Sequence, residues 1–190
     1  MQEDPAFTPY GPRFEEALIY AARLHANQRR KGTAIPYVTH LLAVAAIVGE
    51  HGGTEDEVIA ALLHDAAEDQ GGEARLVDIR ARFGDEVAAI VRGCTDAETQ
   101  PKPPWRARKE AYIAHLAEAS PAVLLVSSSD KLHNARAILA DLRAHGEALW
   151  SRFAGGQAGT LWYYQSLAAA YARRGGGPIA EELARVVGEI

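Results

Sequence analysis

Apolar residues in this chain recur at three- and four-residue steps between breaks made by Gly and Pro, and no stretch alternates apolar with polar in the period of a strand. Such a pattern restricts the chain to helices packed on helices, an all-α fold. Phe14, Ala17, Leu18, Ala21 and Leu24 mark a first helix reaching to about Gln28. A second begins near Val38 and stops at Gly52-Gly53, which puts His40 in its first turn. Thr54-Glu55-Asp56-Glu57 fits a capping box, so a helix opens there and carries the chain through His64-Asp65 towards Asp69. Further helices are expected from Arg75 to Phe83, stopping at Gly84, and from Glu86 to Cys94, capped by Asp85. Gln100 to Pro104 reads as loop and Trp105 to Glu118 as helix. Ser120-Pro121 starts another helix, and a last long one runs from about Thr160 to Arg173. At 190 residues one compact unit is expected: an extension over residues 1–12, a domain over 13–174, and a tail over 175–190 with a short helix.

Composition excludes several classes of function. Cys94 is the lone cysteine, so a thiolate metal cluster and an internal disulfide are both ruled out, and any metal must be held by His and carboxylates. A net charge of −5 argues against a nucleic-acid partner, which requires a broad basic surface. Cations are nonetheless concentrated at Arg29-Arg30-Lys31, from Lys102 to Lys109, and at Lys131 with Arg136, which leaves room for a small anion. The apolar run from Leu41 to Val48 is far short of the roughly 20 residues that span a bilayer, so no membrane association is expected. The acidic start Met1-Gln2-Glu3-Asp4-Pro5 lacks the order of a secretory signal, and a cytoplasmic location is expected.

The chemistry concentrates in His64-Asp65-Ala66-Ala67-Glu68-Asp69, which follows an apolar helix. Read as helix, it sets His64 and Glu68 one turn apart, and Asp65 and Asp69 likewise, so polar groups project in two rows from an otherwise buried element. Imidazoles and carboxylates buried without partners cost several kcal/mol, and a divalent cation is the usual way of neutralising them. His40 stands before eight apolar positions and by itself suits a core histidine as well as a ligand. Asp130 follows Ser127-Ser128-Ser129 in an apolar helix; it either faces inward or forms a surface ion pair with Lys131 or Arg136.

Taken together, these positions resemble a known pattern. The order His, His-Asp, Asp is similar to that of the HD superfamily of metal-dependent phosphohydrolases. Arg29-Arg30-Lys31 before Pro36-Tyr37-x-x-His40, then His64-Asp65-x-x-Glu68-Asp69, then Asp130-Lys131-Leu132-His133-Asn134-x-Arg136 resembles the alarmone hydrolase domain of Rel/SpoT proteins, and their small single-domain relatives most. The likeness covers about Phe14 to Arg173. It implies a compact helical hydrolase fold in which His40, His64, Asp65 and Asp130 hold a metal ion, Mn²⁺ by family habit, with another divalent metal compatible with the same donors. It implies that Glu68 and Asp69 handle the protons of the attacking water and leaving group. Arg30, Lys31 and Asn134 would contact a purine nucleotide, with Arg108 and Lys109 near its phosphates. The implied reaction is hydrolysis of the 3′-pyrophosphate of guanosine tetra- or pentaphosphate to GDP or GTP and pyrophosphate. The same residues would also serve the adenosine analogue, NADPH or a nucleoside phosphate, or a nucleotide sensor without turnover. Departures from the family pattern are Leu41 in place of Pro, Gln70 in place of Thr, and the Gly32-Thr33-Ala34-Ile35 loop, which bears on base selectivity. Trp162, Tyr163 and Tyr164 are expected chiefly in the core, with Tyr163 or Tyr164 at the pocket wall.

Overall fold

A computed structural model describes residues 10–96 and 103–190; Lys102, residues 1–9 of the expected extension and most of the expected loop from Gln100 lie outside the described residues. The described chain is helical, and no strand is formed within it beyond an isolated bridge between Arg29 and Pro36. The helices are α1 Pro12–Leu24, α2 Val38–Glu50, α3 Glu55–Leu63, α4 Ala66–Asp69, α5 Gly72–Phe83, α6 Asp85–Cys94, α7 Trp105–His115, α8 Pro121–His145, α9 Gly156–Arg173 and α10 Pro178–Gly188. A short 3₁₀ helix, Gly146–Arg152, links α8 to α9.

Local chemistry fixes several of these ends. Thr54 Oγ1 accepts from the Glu57 amide at 3.3 Å while Glu57 Oε2 accepts from the Thr54 amide at 2.7 Å, the reciprocal pair expected of a capping box. Ser120 Oγ accepts from the Val123 amide at 3.2 Å and starts α8 with Pro121 in its first turn. Other ends depart from expectation. Helix α5 begins at Gly72 rather than Arg75, because Gly71 and Gly72, at φ +130° and +58°, turn the chain straight out of α4. Helix α6 has Gly84, not Asp85, at its cap position, and Asp85 instead pairs with Arg80 at 3.1 Å.

Two apolar cores form. One gathers α1, α2, α3, α5 and α6 around Leu41, Ile59, Leu62 and Phe83; the other gathers α7, α9 and α10 around Leu116, Leu149, Leu167 and Leu183. Helix α8 belongs to both, with Val123 and Val126 in the first and Leu132 and Ile138 in the second. Its three serines allow it to lie close between them. Ser127 Oγ shares hydrogen bonds with the Tyr112 and Tyr171 hydroxyls at 2.6 and 2.5 Å, and Ser128 and Ser129 bond back to the Leu125 carbonyl. Past the serines, Asp130 is buried where α2, α3 and α8 meet.

Candidate active site

The expected continuous helix through His64-Asp65 is broken. Helix α3 ends at Leu63, Asp65 takes φ −94° and ψ −2°, and a single further turn, α4, carries Glu68 and Asp69. The break has a chemical consequence. Consecutive residues of one helix point about 100° apart and do not meet, whereas here His64 Nε2 and Asp65 Oδ2 stand 3.0 Å from each other. The turn from Asp65 to Asp69 survives, closed by the Asp69 amide on the Asp65 carbonyl at 3.0 Å.

His40, from the first turn of α2, and Asp130, from the middle of α8, complete the convergence. His40 Nε2 is 3.5 Å from Asp65 Oδ2 and 3.2 Å from Asp130 Oδ1, and His64 Nε2 is 3.6 Å from the same Asp130 oxygen. The donor atoms of His40, His64 and Asp65 lie within 4.8 Å of one another, close enough to share one metal ion. Both imidazole Nε2 atoms are buried and neither makes a hydrogen bond, which in a protein interior calls for a bound group. His64 Nδ1 donates to the Ala61 carbonyl at 2.7 Å, which leaves its Nε2 for the carboxylates. Burial opposes protonation of His64, but Asp65 and Asp130 outweigh it and raise its pKa well above the usual value. Burial likewise works to raise the Asp65 and Asp130 carboxyls, and His64 with His40 for the first, Lys131 with both imidazoles for the second, hold them well below the carboxylate range. The centre thus demands positive charge, and two imidazoles with two carboxylates are a donor set for a divalent metal.

Neighbouring groups hold these side chains in place. Tyr37 Oη donates to Asp65 Oδ2 at 2.5 Å; Lys131 Nζ and Asn134 Nδ2 donate to the two oxygens of Asp130, each at 2.5 Å. The Nδ1 atoms of His40 and His133 are 2.8 Å apart. Tyr37 and His133 were not among the residues expected to act, although each lies three positions along a helical turn from a residue that was, Tyr37 before His40 and His133 after Asp130. Gln28 is a third. Its Oε1 accepts from Gln70 Nε2 at 2.8 Å and lies 2.7 Å from His25 Nδ1, so its Nε2 faces Asp69 Oδ2, to which it donates at 2.7 Å. Asp69 is exposed, at the rim of the site.

Two cavities flank the centre. One, of about 430 Å³, is lined by Arg30, Tyr37, His133, Asn134, Ile138 and Asp141, among others. The other, of about 330 Å³, has Glu68, Arg108, Lys109, Tyr163 and Tyr164 on its wall; Lys31, Phe153 and Tyr164 border both. Arg30 and Lys31 are presented by a loop closed by Tyr37 N–H on the Gln28 carbonyl and Arg30 N–H on the Ile35 carbonyl, both at 2.9 Å. Arg30 Nη2 donates to Asn134 Oδ1 at 2.7 Å, so Asn134, expected to touch a nucleoside, also ties Arg30 to Asp130. Arg108 and Lys109 both reach Asp96, which halves the positive charge that they offer to a ligand; Arg108 Nη1 is 2.7 Å from its Oδ1. Of the family departures, Leu41 is wholly buried in the first core, and Gln70 serves Gln28.

Fold and site together define a helical protein built around a buried centre for a divalent metal, with a nucleotide-sized cleft beside it. Residues 17–160, more than half of the chain, match the HD domain family, and the chain belongs to it. It is 39% identical over 124 residues to the human guanosine-3′,5′-bis(diphosphate) 3′-pyrophosphohydrolase MESH1, an overlap of 64% of this chain and 66% of that one. To the Drosophila melanogaster protein of the same name it is 36% identical over 143 residues, covering 74% and 75%. A solved structure described as a metazoan ortholog of SpoT that hydrolyzes ppGpp and plays a role in starvation responses superposes with a TM-score of 0.77. The two are 28% identical over 97% of this chain and 98% of that one. No helix among the described residues is long and apolar enough to cross a membrane.

Proposed function

We propose that this protein removes the 3′-pyrophosphate of guanosine tetra- or pentaphosphate by hydrolysis, giving GDP or GTP and pyrophosphate. The observation that carries the reading is the convergence of two buried imidazole nitrogens, neither of them hydrogen-bonded, with two carboxylates, between a basic cavity and a nucleoside-sized one. The curated relatives that bear this activity in their names support it, and so does the matched structure.

His40, His64, Asp65 and Asp130 would hold the metal, which we take to be Mn²⁺ from the resemblance to the Rel/SpoT hydrolases; the mixed imidazole and carboxylate donors are compatible with it and with other divalent ions. When bound, it supplies Lewis acidity to the water and to the phosphoryl oxygens. His40 would then keep its proton on Nδ1 and donate a hydrogen bond from it to His133 Nδ1, whose pKa, pushed down to about 4 by burial and by His40 and Arg30, leaves that ring neutral and able to accept the bond. Glu68, on the wall of the basic cavity, takes a proton from the attacking water, and Asp69, steadied by Gln28, shares the transfer to the leaving group. Lys31, Arg108 and Lys109 bind the pyrophosphate, while the Arg30 guanidinium, 5.9 Å from the Tyr37 ring, stacks on the purine. Pinning both ends of the nucleotide keeps its phosphorus in line with the water.

The decisive assay loads purified protein with Mn²⁺, supplies guanosine tetraphosphate and measures pyrophosphate and GDP. Glu68→Gln is expected to keep metal and lose rate, His64→Ala to lose both. An intact substrate alongside a cleaving positive control defeats the reading, and unchanged metal content in His64→Ala defeats the ligand set.

A further inference from the structure

We propose that Asp141 selects the purine base and makes this protein prefer guanine over adenine, an inference that rests on the nucleotide reading above and assigns its base-recognition end. Along α8, Asp130, Asn134, Ile138 and Asp141 succeed one another at steps of four, four and three and therefore share one face. Asn134, Ile138 and Asp141 line the same 430 Å³ cavity. At 1.5 Å per residue the eleven positions from Asp130 to Asp141 span about 16 Å, room for a nucleoside 3′-phosphate lying along the helix with its phosphate at the metal centre. Between the two ends the wall is apolar, made by Ala137, Ile138, Phe153 and Tyr164, as a flat ring requires. The base edge then meets Asp141.

Asp141 is held for that task. Its Oδ2 pairs with Arg152 Nη1 at 3.0 Å, and its side chain is 35% exposed, so the carboxylate is neither lost in the core nor free to swing into solvent. Arg152 in turn lies against Gly32 at the tip of the Arg30 loop, where a Cβ would come within 2.7 Å of the arginine Cδ and where φ is +73°. Helix α8, the linking 3₁₀ helix and the loop that carries Arg30 are clamped together at this end of the cavity. A carboxylate is an acceptor only. Guanine offers N1–H and N2–H side by side to such a group, two charge-assisted bonds; adenine presents the lone pair of N1 at the same place and is repelled. The Gly32 loop, at which this chain departs from the Rel/SpoT pattern, thus steadies this end of the cavity through Arg152, while its Thr33 and Ile35 line the cavity itself.

The test compares kcat/KM for guanosine and adenosine 3′-pyrophosphates, and GDP against ADP binding by calorimetry, in the native protein, Asp141→Ala, Asp141→Asn and Arg152→Ala. Discrimination by a two-bond contact to a base edge is about 10- to 100-fold. The native protein is expected to favour guanine within that range, and both Asp141 variants to lose the preference through KM. Arg152→Ala, which breaks the same ion pair but keeps the carboxylate, is expected to weaken binding of both bases while retaining the preference. A ratio unmoved by Asp141→Ala, a native preference for adenine, or an equal loss of preference in Arg152→Ala and Asp141→Ala overturns the assignment. A GDP preference that depends on Asp141 in a protein that cleaves neither pyrophosphate upholds it and removes the hydrolytic reading instead.

Discussion

Replacing Tyr37 with Phe isolates one hydrogen bond at the metal centre. The ring keeps its contacts with His25 and His40, at centroid distances of 5.3 and 5.5 Å, and only the hydroxyl that donates to Asp65 Oδ2 at 2.5 Å disappears. Burial first, and then the neighbouring Asp65, hold the phenol well above its ordinary pKa, so it is a donor at every pH of interest. A hydrogen bond to an ionised partner contributes about 1.5–3 kcal/mol. Asp65 is 21% exposed, so water partly replaces the lost donor and the cost to the metal-free protein is expected near the lower end, about 1–2 kcal/mol. The larger effect is on metal. The same Oδ2 faces both imidazole Nε2 atoms, and loss of a group that orients a ligand weakens metal binding by about 10- to 100-fold. Urea denaturation of chelator-treated protein reads the first quantity, and Mn²⁺ titration against a fluorescent chelator reads the second. Tighter Mn²⁺ binding in Tyr37→Phe would mean that the hydroxyl competes with the cation for Oδ2 rather than aiming it, and would refute the reasoning.

Gly93→Ala gains helix propensity of about 1 kcal/mol, yet its Cβ would fall 2.5 Å from Cγ2 of Val123, a stiff side chain at the α6–α8 contact. Net destabilisation of about 1–3 kcal/mol is expected in urea denaturation, and a more stable variant would show that the two helices separate freely. Asp96 is 6% exposed between Arg108 and Lys109; burial works to raise its pKa, and Lys109 above all outweighs it and lowers it. A lowered folded pKa means stability that is complete above the unfolded value of about 3.9 and is lost as pH falls through the folded value. Asp96→Asn is therefore expected to cost about 2–4 kcal/mol at pH 7 and to flatten the fall in stability below about pH 5, as read by melting across pH. Burial pushes the Cys94 thiol well above its usual pKa, so iodoacetamide at pH 8 is expected to label it only after denaturant is added.

What the sequence disclosed and what it withheld divide along the range of the interactions. The capping box at Thr54 and the cap at Ser120 join residues three apart, and both stand as read because nothing beyond that turn is needed to make them. His40 and Asp130 were legible as polar residues in apolar helices, and the structure brings their side chains to one point. The bend at Asp65 was not legible. Residues 58–64 are almost entirely buried, so nothing in their pattern distinguishes one helix from two, and the turn is imposed by packing against α2, α6 and α8. Asp96 was missed as the partner of Arg108 and Lys109 for a similar reason, since the pairing crosses from the end of α6 to α7, twelve and thirteen positions away.

The end of the first helix shows how much chemistry can turn on such a miss. Apolar spacing carried α1 to Gln28, but the helix stops at Leu24 and residues 25–28 turn aside. Only out of the helix can the Gln28 carbonyl accept from the Tyr37 amide and its side chain reach Asp69, forty-one positions on. Four residues with no unusual composition therefore decide where Arg30 is presented and how Asp69 is aimed. Propensity cannot find them, because each of those bonds is made with a segment that has no reason to be near until the whole bundle has closed.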